Sequence, residues 1–366
     1  MFHVSRSLSA LTAGLVLASA PLMAQSGPSA TIYAMTNATQ NQLVVYNRSE
    51  SGVLTETKRV GAGGSGTGAA LGSDNGIQIS ANKRWLFTVN AQSNSIAVFD
   101  LRAGGPFLVD VANSGGSMPI SVALAGANVY VLNGGSPANV AGFRFGLDGR
   151  LRPIPNSIQL LSEPAPVAPQ IGYSRDGFVV ETEKATNKID VFTANFDGSL
   201  SPAGIQSSSG PTPFGFLFDH FGHMIVVEAG ASVSGGDTVS SYDFSNTGTL
   251  ETISASVPNF QLATCWIALS FNGQFIYTAN TMSDNISAYS VSRYGQLQLV
   301  GNGIAATVAK GSKPADLAFS GSGRFLYVLN GGLGNISGWI VNPDGSLVSV
   351  GTFGTLPASA TGLAGL

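Results

Sequence analysis

The sequence predicts an all-β fold, a seven-bladed β-propeller whose first and last strands share one blade. Three observations predict it. A strand-and-turn repeat recurs seven times, the composition favours short strands, and the first copy of the repeat lacks a strand that the C-terminus supplies.

The last copy shows the repeat well. Pro314 to Ser320 reads as strand a, Gly321-Ser322-Gly323 as a turn, Arg324 to Asn330 as strand b, Asn335 to Ile340 as strand c, and Asp344-Gly345-Ser346-Leu347 as a turn into strand d, from the alternation and turn chemistry of β-hairpins. Strand b ends on a residue followed six positions later by the first apolar residue of strand c. This pairs Asn37 with Leu43, Asn90 with Ile96, Glu183 with Ile189, Asn280 with Ile286 and Asn330 with Ile336. Asn133 with Val140 fits after one inserted residue, and Glu228 with Val239 after a longer insertion, Ala229 to Asp237. The copies lie 43 to 53 residues apart, a spacing that marks propeller blades.

Composition agrees. Charged residues make up 10% of the 366, and 47 are glycine, which suits many short strands joined by tight turns; no stretch shows sustained helical periodicity. Closure follows from the ends. The copy beginning at Thr31 has strands b, c and d only, while Thr361 to Leu366 resembles a strand a with nothing after it. Joining them removes the exposed sheet edges of an open array.

Ahead of the repeat, residues 1–24 carry a basic start (Arg6), an apolar run from Leu8 to Leu22 and a small residue at a plausible cut. They read as a secretory signal peptide, leaving residues 25–366 as one propeller domain, secreted or periplasmic. The apolar run is short for a membrane anchor. The single cysteine, Cys265, leaves stability to core burial rather than to a disulfide. A net charge of −3 without basic clusters argues against nucleic acid and anionic membranes as partners. A monomer is expected.

Propeller topology puts the end of strand b and the start of strand a on one face. The residue ending strand b is in turn Asn37, Asn90, Asn133, Glu183, Glu228, Asn280 and Asn330. Asparagines are ordinary hairpin caps, but two acids replace them in adjacent blades. Glu183 and Glu228 are therefore candidate general bases, with Lys184 beside the first as an oxyanion partner and Asn280 and Asn330 as amide contacts. The entrances to strand a add Asn75, Gln170, Phe214 and Trp266 as candidate substrate contacts, although the two aromatics equally suit packing between blades. His220 and His223 fall in an a-to-b turn on the opposite face, so no histidine serves Cys265 as a nucleophile or builds a metal site. No metal and no cofactor are expected. Gly61 to Gly68 precedes a strand rather than a helix and reads as a loop, not a phosphate cradle.

The tandem Tyr-Val-Leu-Asn at Tyr130 to Asn133 and Tyr327 to Asn330, the Asp-Gly-Ser-Leu turns and the stretch Glu183 to Asp190 resemble the seven-bladed lactonase family, similar to 6-phosphogluconolactonases and carboxymuconate cyclases. The resemblance implies hydrolysis or formation of a sugar-type or carboxylated lactone at the channel mouth. It departs from the family in lacking histidine and arginine there: Arg84, Arg175 and Arg324 fall in or beside a-to-b turns on the other face, which disfavours a phosphorylated lactone. The alternative is a non-catalytic propeller that binds a glycan or a protein through the same face.

Overall fold

The computed structural model describes residues 1–2, 30–102, 104–230 and 236–366. The expected signal peptide beyond its first two residues, and part of the insertion after Glu228, lie outside the described residues. Among the described residues there is no helix, and hence none long and apolar enough to cross a membrane.

Among the described residues, seven antiparallel sheets of four or five strands account for the fold. Blade 1 contains strands b, c and d at Thr31–Met35, Gln42–Arg48 and Leu54–Gly61, and its inner strand a is the C-terminal Thr361–Gly365. The register pairs Ile32 with Gly365, Tyr33 with Ala364 and Ala34 with Leu363. The propeller is closed as the incomplete first repeat predicts. Blades 2 to 7 follow in sequence order, each running a, b, c, d from the axis outward.

Apolar residues alternate on both faces of strands b and c, so the core lies between blades rather than at one centre. Between blades 2 and 3 it comprises Phe87, Val98, Val129, Val131 and Phe143, with the edge of Trp85 against Phe145. The repeat's motifs have a common cause here. The phenol of a strand-b tyrosine crosses to the next blade and donates to the carbonyl of the glycine in that blade's c-to-d turn: Tyr130 to Gly198 at 3.1 Å, Tyr277 to Gly345 at 2.8 Å and Tyr327 to Gly52 at 2.7 Å. Each of these glycines has φ between +82° and +90°, a backbone that a side chain disfavours. Tyr in strand b and Gly in the following turn are thus the two halves of one inter-blade clamp, satisfying a buried hydroxyl that would otherwise be costly.

Candidate functional site

The seven residues ending strand b are all buried. Asn280 uses its whole amide: the nitrogen donates to Asn285 Oδ1 and Ser287 Oγ, and the oxygen accepts from Thr264 Oγ1 and Asn259 Nδ2. Asn330 likewise donates to Asn335 and Ser337. Both brace the b-to-c hairpin through their amide nitrogens, because the repeat places a small polar partner across the ladder; the Asn330 oxygen is buried without a hydrogen bond among the described residues.

The two glutamates are held in the same way. Glu228 is wholly buried and accepts from Gly210 N at 2.7 Å, Ser240 Oγ at 2.8 Å, Ser208 Oγ at 2.9 Å and Thr238 Oγ1 at 2.5 Å. Glu183, also wholly buried, accepts from Ser162 N and Oγ at 3.0 and 2.5 Å and from the Thr186 hydroxyl. Their longer side chains reach the loop arriving from the preceding blade, where backbone and hydroxyl donors saturate them. The two candidate bases expected in the ring are thus buried carboxylates whose oxygens are engaged by protein donors.

Lys184, one residue on, lies over the ring of Phe214 at 4.5 Å, and Phe214 packs against Trp266 with ring centroids 5.1 Å apart. Burial pushes the Lys184 ammonium below its usual pKa and the Cys265 thiol up to about 12, so the cysteine is an inert packing group. Phe214 and Trp266 are buried and do not offer open stacking faces.

These groups surround a plug. The Trp266 indole N–H donates to the Ser73 carbonyl at 2.9 Å, Asp74 N–H to Pro169 O at 3.0 Å, and the Asn75 carbonyl accepts from Val122 N–H at 3.0 Å. Gly215 approaches so closely that a Cβ there would meet Asp74 Oδ2 at 2.9 Å. The Ser73-Asp74-Asn75 segment therefore crosses the channel, tied to blades 3, 4 and 6. Asn75 takes a left-handed φ of 58° to make the turn, which asparagine tolerates.

Below the plug a cavity of about 750 Å³ runs from Asp74, Asn75 and Gln170 down to the a-to-b turns at Asn82 and Gly126 and the c-to-d turn at Leu147. It reaches the face opposite the one expected, and Arg84, placed on that face by the repeat, lines it. Gln170 is clamped in both directions to Phe216, N–H to Oε1 at 2.7 Å and Nε2 to the carbonyl at 2.8 Å. Gln78 donates to Asn75 Oδ1 at 2.6 Å. The walls are Ile79, Phe87 and Leu124 among other apolar groups. Arg84 stacks on Trp85 at 4.5 Å and pairs with Asp100 at 3.3 Å.

The chemistry at the inner end belongs to Asp74. Its Oδ1 accepts the Asn75 N–H at 2.7 Å, yet burial outweighs that bond and pushes the carboxyl up to about 7. Asp316 of blade 7, held by the N–H groups of Leu317 and Leu363 at 2.6 and 2.7 Å, is also pushed up, first by burial and then by the charge of Asp74. A carboxyl that titrates near neutrality in a concave, mostly apolar cavity has the properties of a general base. Asn75 and Gln170, expected as substrate contacts at the mouth on the other face, line this cavity together with Asp74; the signal for Asp74, which is not among the expected site residues, is an acid at the entrance to strand a, where most blades have proline. His220 and His223 lie in the a-to-b turn of blade 5, where His223 Nδ1 meets Asp219 Oδ2 at 2.7 Å.

The model of a family described as Lactonase, 7-bladed beta-propeller, matches residues 228–358. No curated protein matches the sequence. Solved structures share the fold over nearly the whole chain. A periplasmic gluconolactonase of Pseudomonas aeruginosa is 18% identical with a TM-score of 0.71, covering 92% of this chain and 99% of its own. A proposed 6-phosphogluconolactonase of Bacteroides fragilis is 17% identical at 0.73, covering 93% and 99%. A protein from Lactobacillus plantarum is 17% identical at 0.75, covering 92% and 99%. The resemblance to the seven-bladed lactonase propellers holds, and at these identities the structural likeness is one of fold.

Proposed function

We propose that this lactonase-like propeller hydrolyses a lactone inside the channel cavity, with Asp74 as general base. The carrying observation is the Asp74 carboxyl, pushed up to about 7 by burial at the closed end of a cavity large enough for a small ring. Its carboxylate takes a proton from water as the oxygen adds to the lactone carbonyl carbon. The ring C–O bond then breaks, and the leaving alkoxide recovers the proton, giving a hydroxy acid. The side-chain amides of Gln78 and Gln170 line the cavity, held by their bonds to Asn75 and Phe216, and the second N–H of each is the donor assigned to the oxyanion.

The substrate class follows from the walls. Apolar sides and a single arginine, already paired with Asp100, suit a sugar-type or singly carboxylated lactone better than a phosphorylated one. The family model and the neighbours named as gluconolactonase and 6-phosphogluconolactonase support lactone chemistry; the apolar N-terminal run and the periplasmic neighbour support export.

The test is turnover of neutral, carboxylated and phosphorylated lactones by wild type and Asp74→Asn. Loss of a general base costs about 100- to 10,000-fold, and kcat/KM of wild type is expected to rise with pH through about 7. Full activity in a folded Asp74→Asn protein would overturn the assignment, and loss confined to Glu183→Gln or Glu228→Gln would return the base to the strand-b ring. Saturable lactone binding without turnover would favour a binding module.

A further inference from the structure

A second group of acids lies in blade 4, apart from the channel cavity. Glu181 and Glu183 point to the same side of strand b, and Asp190 is the cross-strand partner of Glu181 on strand c. One carboxylate oxygen from each lies within 4.8 Å of the others, and all three residues are buried. At the Asp190 position every other blade carries an uncharged residue: Val44, Ala97, Ala141, Ser240, Ser287 and Ser337.

The group is not satisfied from within. Among the described residues no hydroxyl, amide or backbone N–H donates to either oxygen of Glu181 or to Oδ1 of Asp190; their hydrogen-bonding neighbours are the carboxyls of the group itself, an arrangement unfavourable for ionised carboxylates out of water. By contrast, Glu183 has its serine and threonine donors, and Asp190 Oδ2 accepts Ser162 N–H at 3.0 Å. The nearby ammonium is Lys188, which reaches Ser162 Oγ at 3.3 Å. Three carboxylates and one ammonium leave two negative charges to neutralise. The donors are all oxygen, without the histidine or thiolate that would select zinc or copper.

We infer that Glu181, Glu183 and Asp190 form a binding site for one hard divalent cation, of the calcium type, that fastens strands b and c of blade 4. Calcium accepts irregular sets of protein oxygens, whereas magnesium keeps several waters, and this enclosed site gives them little room. The role is structural: the cation bridges the hairpin that ends at Glu183 and Lys184, next to the channel plug. The rival account is two protons shared among the acids, and burial together with neighbouring negative charge does push Glu181 well above the usual carboxylate range and Asp190 up to about 7.

The experiment separates them. Protein purified without chelator is analysed for bound metals, then treated with EDTA and melted at pH 8 with and without calcium, magnesium or manganese chloride. The inference expects about one equivalent of bound cation, a midpoint lowered by EDTA, and its recovery by several degrees with calcium. Glu181→Gln, which keeps shape and supplies its own donor, is expected to fold and to abolish the calcium response. No bound metal and no midpoint change with any of the three salts would overturn it, as would an unchanged calcium response in Glu181→Gln. A midpoint that depends on pH alone, rising on acidification, would assign the group to shared protons.

Discussion

Asp74→Asn tests the channel carboxyl without any substrate. The folded protein holds this carboxyl near 7, while an unfolded chain releases its proton near 3.9. A raised acid binds more protons folded than unfolded between those values, so its contribution to stability falls as pH rises from about 4 to about 7 and stays at its minimum above. Three pH units at 1.36 kcal/mol each give an upper bound of about 4 kcal/mol lost by pH 8. Asparagine keeps the shape and cannot ionise. Relaxed repulsion on Asp316, which feels the charge of Asp74, adds to the same sign. Urea unfolding of wild type and Asp74→Asn at pH 5, 6, 7 and 8 should therefore show a difference that is small at pH 5 and grows in favour of the variant up to pH 8. Asp190, raised in the same window, is common to both proteins and cancels. A difference that is constant with pH, or that favours wild type more at pH 8, would refute the reasoning.

Three further outcomes follow from the contacts. Tyr327→Phe removes the clamp from blade 7 to the Gly52 carbonyl and should cost about 1 to 3 kcal/mol in denaturant titration, the range for stranding a buried acceptor. Leu363→Ala empties a buried position in the C-terminal strand that closes blade 1; a loss of about 2 to 5 kcal/mol is expected, and deletion of residues 361–366 should lower the thermal midpoint further. Glu228→Ala strands the Gly210 N–H and several hydroxyls that now share its carboxylate, so it should destabilise by about 3 kcal/mol or more, whereas Glu228→Gln should retain most of the stability in the same urea assay.

The sites were legible to different depths. Lys184, Phe214 and Trp266 do meet at one place, because the repeat fixes which loops are neighbours. The direction in which Glu183 and Glu228 point was not legible: it depends on Ser162, Ser208 and Gly210, which come from variable loops outside the repeat. Arg84 lies on the face where the repeat places it, and that face is the one the cavity reaches.

By itself the sequence determined the number of blades, the strand order and the shared closing blade. Each of these is set by local periodicity and turn chemistry repeated at a fixed spacing, such as the tyrosine and glycine that clamp successive blades. Only the tertiary structure decided which end of the channel is closed. That depends on one irregular segment, Ser73 to Asn75, held by Trp266 from 193 residues away and by Pro169. No periodic signal records such a crossing, because its partners come together only when the ring closes. The same crossing buries Asp74, and burial is what turns an ordinary loop aspartate into a carboxyl that titrates near neutrality.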